Sequence, residues 1–242
     1  MIKNNLIANI LRPEVVFNIS TRATQAFGGL ASIVLISRFL SAEDQGYYYA
    51  IQAFAASYVL FELGLSNTLI NFFSNSKVSD GEAISKSRLS DGDMLAGAVY
   101  LYLCISLCMA IILSVTGYFY LLSEARADLI GSWLLIISCI FVNLNCLPYL
   151  IYIEAKGGVI GINKMRLIQS LVSITALCLS LIYGLGVQSL GIYFTSVALV
   201  ACFFLVVERN YRNLILNVHF SKETLHHLLK LILSTQVRVS LS

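Results

Sequence analysis

Glu62 is a carboxylate placed inside a strongly apolar stretch of the sequence. It stands in YVLFELGLSN, residues 58–67, within an apolar run over residues 46–73. A charged side chain costs roughly 2.5–3.5 kcal/mol at the centre of a bilayer, so it needs a partner or an aqueous surrounding. Glu62 is therefore a candidate for substrate binding, for proton-linked transport or for a structural ion pair.

Arg22 is the predicted partner of Glu62. The turn between the first two apolar runs centres near Ala42, and each charge lies 20 residues from it. In an antiparallel helical hairpin, equal distances from the turn give similar depth. We expect a buried ion pair between Arg22 and Glu62, extended by Gln25 into a short polar network. The pair either lines a transport cavity or only holds two helices together.

Polar residues form one stripe on each of the first two predicted helices. The first stripe is Asn18, Arg22, Gln25, Gly29 and Ser32. The second is Tyr48, Gln52, Glu62 and Ser66. Residues at these intervals share a helix face, and lipid cannot satisfy their hydrogen bonds. We therefore expect both stripes to face the bundle interior or a watery cavity.

The composition is that of a membrane protein. Hydrophobic residues make up 58% of the 242 residues and charged residues only 12%, whereas a soluble domain is about one quarter charged. Six apolar stretches are long enough, or nearly so, to span a bilayer as helices. They are residues 15–39, 46–73, 94–122, 129–153, 167–185 and 190–207. We expect an all-α integral membrane protein with a six-helix bundle over residues 15–207.

The regions on either side of this bundle contain shorter amphipathic segments. Residues 1–14 carry an apolar face and end near Pro13, and residues 222–234 show a similar face. Helices of this kind lie in the membrane interface, although a plain surface or linker helix fits the same pattern. We interpret residues 1–14 as interfacial and residues 208–242 as a cytoplasmic or interfacial linker.

The basic residues predict the orientation of the chain. Of the sixteen Lys and Arg residues, thirteen lie on the side of the N-terminus, two lie opposite and Arg22 lies within a span. The positive-inside rule then places both termini in the cytoplasm. The net charge of +3 is too small to indicate a nucleic-acid partner.

Nothing in the sequence indicates catalysis. The connections between spans are too short to hold a soluble catalytic domain, and the six cysteines form no CxxC pair. Buried cysteines in apolar segments behave as small hydrophobic residues. We expect no enzyme activity, no metal site and no cofactor.

Three further polar residues are candidates for the cavity. Asn143 lies in the fourth predicted span near Pro148, where the helix is expected to kink, either as a flexing cavity wall or as a static feature. Arg166 and Gln169 open the fifth predicted span after a glycine-rich connection. They either face the cavity mouth or, for Arg166, anchor the helix by the positive-inside rule.

Two segments resemble a known family. FLSAEDQGYYYAIQAF, followed by FELGLSN, is similar to the first hairpin of bacterial Wzx-type polysaccharide and O-antigen flippases, members of the MATE-like multidrug/oligosaccharidyl-lipid/polysaccharide exporter superfamily. IEAKGGVIGINKMRLIQS resembles the segment after the fourth span of that family, with Arg166 and Gln169 matching and Ala155 replacing the usual glycine.

The resemblance implies a fold and an activity. The fold has twelve or more helices in two six-helix lobes, and this chain would supply the N-terminal lobe. The activity is the flipping of undecaprenyl-pyrophosphate-linked oligosaccharide across the bacterial inner membrane for surface polysaccharide synthesis. The implied partners are this lipid-linked oligosaccharide, membrane lipids and a second lobe. Basic cavity residues suit the pyrophosphate, and Arg22 and Arg166 are the ones available.

The end of the chain leaves several interpretations open. STQVRVSLS, residues 234–242, resembles the start of the seventh span in that family. We expect a truncated flippase or a half-transporter that pairs with a second copy or another chain. The alternatives are a small-molecule exporter of the same superfamily, a non-transporting membrane subunit and an inactive remnant.

Overall fold

The computed structural model describes residues 13–58, 65–75, 91–123 and 126–207. All regular secondary structure in these residues is helical. The helices are α1 (Pro13–Phe39), α2 (Ala42–Ala56), α3 (Leu65–Asn75), α4 (Asp91–Ser123), α5 (Ile130–Ala155), α6 (Val159–Ile182) and α7 (Ser189–Val207). Short 3₁₀ turns at Ala127–Leu129 and Gly186–Gln188 precede α5 and α7.

Five of the described helices are long and apolar enough to cross a membrane, namely α1, α4, α5, α6 and α7. Many of their large apolar side chains point away from the protein interior, among them Phe27, Ile111 and Phe119. A helix that is hydrophobic all round is typical of a membrane span. By the length and composition of these helices, the chain is a helical multi-pass membrane protein.

Helix α5 lies at the centre of the bundle. It packs against α4, α7 and α3, while α6 packs against both α1 and α7. The largest core cluster joins α5, α4 and α2 through buried side chains that include Trp133, Ile136, Met109, Tyr48 and Ile51. Helix α1 is anchored mainly by α6 and is the most exposed of the five long helices.

The turn between α1 and α2 is fixed by helix-capping contacts. The Ser41 hydroxyl oxygen accepts a hydrogen bond from the backbone N–H of Asp44 at 3.1 Å, which caps α2. Glu43 and Asp44 place negative charge in the first turn, where the helix dipole favours it. This cap sets the direction in which α2 leaves the turn.

Several predicted boundaries differ from those of the structure. The spans predicted at 15–39, 94–122, 129–153 and 190–207 correspond to α1, α4, α5 and α7. Pro13 and Glu14, assigned to an interfacial segment, form the first turn of α1, where proline is favoured because its missing N–H is not needed. Residues 1–12 and 208–242 lie outside the described residues.

The second predicted span is not seen as one continuous helix. Helix α2 ends at Ala56 and α3 begins at Leu65, with residues 59–64 outside the description. The hydroxyl and the backbone N–H of Ser57 both donate to the carbonyl of Phe54, at 2.6 and 3.2 Å. This three-residue hydrogen bonding tightens the last turn and ends the α-helical pattern there.

The fifth predicted span begins earlier than expected. Helix α6 starts at Val159, just after Gly157, whose φ of 102° makes the reversal from α5. The polar residues of INKMR, residues 162–166, lie within the helix, and two of them bond to neighbouring helices. The Asn163 amide donates to the Glu14 carbonyl on α1 at 3.2 Å. Arg166 therefore lies within α6 rather than at its start.

Candidate functional site

A cavity of about 420 Å³ lies between α1, α2, α6 and α7. Its polar lining comes from two amides, one serine and three tyrosines: Gln25, Ser32, Tyr48, Tyr49, Gln52 and Tyr193. The rest of the lining is Phe194, two glycines of α1, and isoleucine and leucine side chains. The size is within the roughly 300–1,000 Å³ range of small-molecule sites. We call this space the cavity.

Helix α1 contributes the C-terminal part of its polar stripe to the cavity. Gln25 donates from Nε2 to the Ser170 hydroxyl of α6 at 3.2 Å, and its side chain lines the cavity. The next turn is Gly28, which packs directly on Ile174 of α6 and leaves no room there for a Cβ atom. The Ser32 hydroxyl donates to the Gly28 carbonyl at 2.9 Å. This part of the stripe lies where the spacing predicts.

The N-terminal part of the same stripe lies elsewhere. Asn18 and Arg22 are exposed on α1, and Arg22 donates from Nε to Oδ1 of Asn18 at 3.1 Å. Neither residue lines the cavity. These two residues therefore lie outside this cavity, on the outer surface of the described helices. Glu62 lies outside the described residues, so its ion pair with Arg22 stays a prediction.

The stripe on the second predicted helix also divides. Tyr48 and Gln52 of α2 line the cavity, and Tyr48 is almost completely buried. Ser66 of α3 lies 3.2 Å from the Tyr102 hydroxyl of α4 and is not a lining residue. The sequence placed Gln52 and Ser66 on one face because it treated residues 46–73 as one helix. Since α2 ends at Ala56, helical spacing cannot be counted from Gln52 through to Ser66.

Aromatic side chains form two sides of the cavity. The rings of Tyr48 and Tyr49 meet edge to face with centroids 5.6 Å apart. Those of Tyr193 and Phe194 on α7 do the same at 5.3 Å. Aromatic pairs prefer this geometry because the positive edge of one ring meets the negative face of the other. Sequence reasoning did not select Tyr49, Tyr193 or Phe194. The three consecutive tyrosines at residues 47–49 could have indicated an aromatic surface on α2.

Arg166 and Gln169 serve contacts between helices rather than the cavity. The Arg166 guanidinium faces the Glu154 carboxylate of α5 with two contacts, at 2.8 and 3.4 Å. Gln169 donates from Nε2 to the carbonyl of Val197 on α7 at 2.8 Å. Neither residue lines the cavity. Paired groups of this kind fix the relative positions of α5, α6 and α7, and sequence reasoning missed Glu154 as the partner of Arg166.

The polar residues of α5 are directed to helix packing. Asn145 donates from Nδ2 to the Ser106 hydroxyl of α4 at 2.9 Å and to the Phe141 carbonyl at 2.8 Å. Asn143 is half-buried and does not line the cavity. Helix α5 continues through Pro148 to Ala155. The predicted cavity wall on this helix is therefore not part of the cavity described here.

Arg126 holds together two connections at one end of the bundle. Its guanidinium contacts Asp44 of α2 at 3.0 Å and Asp128 at 3.1 Å, and it lies 4.7 Å from the ring centroid of Tyr47. The hydrogen bond from Arg126 lowers the pKa of the Asp128 carboxyl. The hydrogen bonds that Arg126 donates to Asp128 and Asp44 raise the pKa of Arg126 further above its usual value. The sequence had marked Arg126 only as a basic residue opposite the N-terminal side.

The cavity is uncharged as far as the described residues show. None of its lining side chains among them is acidic or basic. Amide, hydroxyl and phenol groups can both donate and accept hydrogen bonds, and aromatic rings can stack. The cavity is therefore suited to holding a neutral polar molecule, and Arg22 and Arg166, the basic residues that the resemblance implies, do not line it.

Comparison with models of protein families, with curated proteins and with solved structures finds no match.

Proposed function

We propose that this chain forms one lobe, the N-terminal one, of a membrane transporter that flips undecaprenyl-pyrophosphate-linked oligosaccharide across the bacterial inner membrane. The product would serve the synthesis of a surface polysaccharide such as O-antigen, capsule or exopolysaccharide. Two observations support the proposal. The first is the resemblance of the α1–α2 turn and of the α5–α6 region to flippases, and the second is the polar cavity between four helices.

The cavity carries this proposal. Amides in membrane-spanning segments are costly against lipid and are kept where they meet protein or water. Gln25 on α1 and Gln52 on α2 both line the cavity, and Gln25 does so while it also bonds to Ser170 of α6. Such a space is typical of a protein that binds a small polar ligand. A transporter needs one, because its substrate must cross the bilayer through a polar path.

Six spans are part of the proposal. Helices α2 and α3 are each shorter than the roughly 20 residues that a span needs. Together with the residues between them they cover 42–75 and are long enough. Both α2 and α3 pack against α4 and against α5. Counted as one span, they give an even number and, with the positive-inside asymmetry, two cytoplasmic termini.

The exposed polar end of the α1 stripe supports a second lobe. Asn18 and Arg22 lie on the surface of a helix that is long enough to cross the membrane. An arginine facing hydrocarbon costs several kcal/mol, so protein or water is expected beside it. A second lobe that faces this one across a central space would provide both. Its source is a second copy of the chain, a longer form of it or another polypeptide.

Complementation of a flippase-deficient bacterial strain tests the function. The chain would be expressed alone and together with the second lobe of a polysaccharide flippase, and surface polysaccharide would be measured by gel staining. We expect restored polysaccharide, lowered at least several-fold by Gln52→Leu and unchanged by Gln188→Leu. Gln188 is an exposed amide outside the cavity and is the matched control.

Membrane insertion must be verified in the same strains with an epitope tag. Properly inserted protein that restores no polysaccharide in either arrangement would contradict the proposal. If Gln52→Leu leaves the restoration of polysaccharide unchanged, the chain is a transporter but the cavity does not take part in transport.

A small-molecule exporter of the same superfamily is the second candidate. The observation that favours it is the size of the cavity, since about 420 Å³ holds a compact molecule but not a whole lipid-linked oligosaccharide. Expression in a strain without its main drug exporters separates the two functions. Lowered sensitivity to several unrelated compounds, without restored polysaccharide, would favour this candidate over the flippase.

A further inference from the structure

We infer that the cavity holds an uncharged sugar ring of the substrate and not its pyrophosphate. This inference rests on the proposed function and names the part of the substrate that the described cavity accepts. It concerns binding alone and requires no chemical step.

The first argument is charge. A phosphate group removed from water needs cationic or multiple N–H partners, because an unpaired buried charge is strongly unfavourable. No described lining residue of the cavity is basic. The two arginines that the resemblance offers for the pyrophosphate are already bonded elsewhere, Arg22 to Asn18 and Arg166 to Glu154. Arg38, two residues after the lining residue Ile36, is exposed and is not a lining residue. An anion placed in the cavity would therefore remain without compensation.

The second argument is the kind of polar group present. A sugar ring carries hydroxyls that both donate and accept, and amides and hydroxyls match both functions. Gln25 and Gln52 approach the cavity from different helices, and Ser32 lies two turns further along α1 than Gln25. Gln25 uses one N–H on Ser170, which leaves its carbonyl oxygen and second N–H for a ligand. Two amides can thus fix a ring by its hydroxyls.

The third argument is the aromatic lining. The C–H faces of a pyranose ring are weakly positive and pack on the negative face of an aromatic ring. Tyr49 is 43% exposed and lines the cavity from α2, while Tyr193 and Phe194 line it from α7. A lining that combines aromatic rings from two helices with two amides suits a molecule that is apolar on its faces and polar around its edge.

The size agrees with this occupant. A volume of about 420 Å³ is near the lower end of the roughly 300–1,000 Å³ found for small-molecule sites, which suits about one or two sugar rings. The lipid tail would then lie outside, against the apolar surface of α1.

Ligand-observed NMR tests the inference directly. The full chain would be placed in lipid nanodiscs, and saturation transfer would be measured to the neutral disaccharides maltose, cellobiose and lactose. We expect transfer to at least one of them, at least threefold lower in Gln52→Ala and in Tyr49→Ala. Gln188→Ala should match the wild type. Emission of Trp133, the single tryptophan, would confirm that each variant is folded.

A competition experiment supplies the second half of the test. Inorganic pyrophosphate and glucose 1-phosphate are expected to leave the disaccharide signal unchanged. Displacement by pyrophosphate would overturn the inference, as would a signal insensitive to both cavity variants or the absence of transfer to all three sugars. Restored polysaccharide without sugar binding would remove this inference and keep the proposed function. Sugar binding without restored polysaccharide would show a sugar site in the cavity and would remove the flippase function from which its substrate was named.

Discussion

The contact of α4 with α5 is closed, whereas the contact of α1 with α6 lies beside the open cavity. At the contact of α4 with α5, Gly117 leaves a space that the Trp133 indole fills, and its Nε1 donates to the Leu113 carbonyl at 3.0 Å. At the contact of α1 with α6, Gly28 admits Ile174 in the same way. Gly29, the next residue, faces the cavity and has no atom within 4 Å of its would-be Cβ.

The polar residues repeat this difference. Asn145 of α5 is bonded to Ser106 of α4, so its amide is used up within the closed contact. Gln25 of α1 reaches Ser170 of α6 with one N–H and still lines the cavity. An amide or a glycine in a membrane helix therefore does not by itself mark a binding site. What the neighbouring helix places opposite it decides whether the contact is closed or open.

Substitutions of Gly117 and Gly29 are expected to show the largest difference in stability. Gly117→Ala places a methyl group where the Trp133 indole lies, and overpacking of this kind costs typically 1–3 kcal/mol. We expect a loss of about 2 kcal/mol in unfolding free energy and a red-shifted Trp133 emission. Gly29→Ala is the matched control, since it meets open space and gains helix propensity. Denaturation in detergent, followed by fluorescence, measures both. Equal losses would contradict the contrast between a closed and an open contact.

The two glutamines of α1 and α6 give a smaller effect of the same kind. Gln169→Leu removes the bond to Val197 between α6 and α7, and a hydrogen bond contributes about 1 kcal/mol. Gln25→Leu should cost less, because its side chain is exposed to the cavity. In polysaccharide restoration the order should reverse, with Gln25→Leu the more harmful. Variants that lower stability and restoration in the same order would show that no such division of roles exists.

The sequence predicted the membrane class and most helix positions, and the reason is physical. Five runs of apolar residues are long enough to cross a bilayer, and that length requirement is independent of packing. The end of α2 depended on Ser57, whose local hydrogen bonds to Phe54 no hydropathy pattern contains. The start of α6 depended on Asn163 finding a carbonyl on α1, which is a tertiary contact.

The candidate site was predicted in part. Helical spacing placed Gln25 and Gln52 toward the interior, and both line the cavity. The same spacing included Arg22, which lies on the exposed side with Asn18. A stripe of residues covers a range of angles around a helix, so its two ends can meet different neighbours. The sequence left Arg166 between the cavity mouth and a positive-inside anchor, and it did not reveal Glu154, which pairs with Arg166.

Arg126 joins the open part of the bundle to the closed part, and acid should weaken that connection. It ties Asp44, in the first turn of the cavity helix α2, to Asp128, which precedes α5. The hydrogen bond from Arg126 lowers the pKa of Asp128 in the folded protein. A lowered folded pKa contributes stability above the unfolded value of about 3.9 and loses it as the pH falls through the folded pKa.

The effect of this acidification should be the smallest of the three. The Asp128 side chain is 61% exposed, so solvent screening limits the contribution to roughly 0.2–1 kcal/mol. Unfolding midpoints in detergent at pH 7 and pH 3 measure it, and Asp128→Asn should reduce the difference between the two midpoints. Arg126→Gln should reduce it at least as much, because it removes the partner itself. If both variants keep the full difference, acid acts on other carboxylates, and the two parts of the bundle are held together by their buried helix contacts alone.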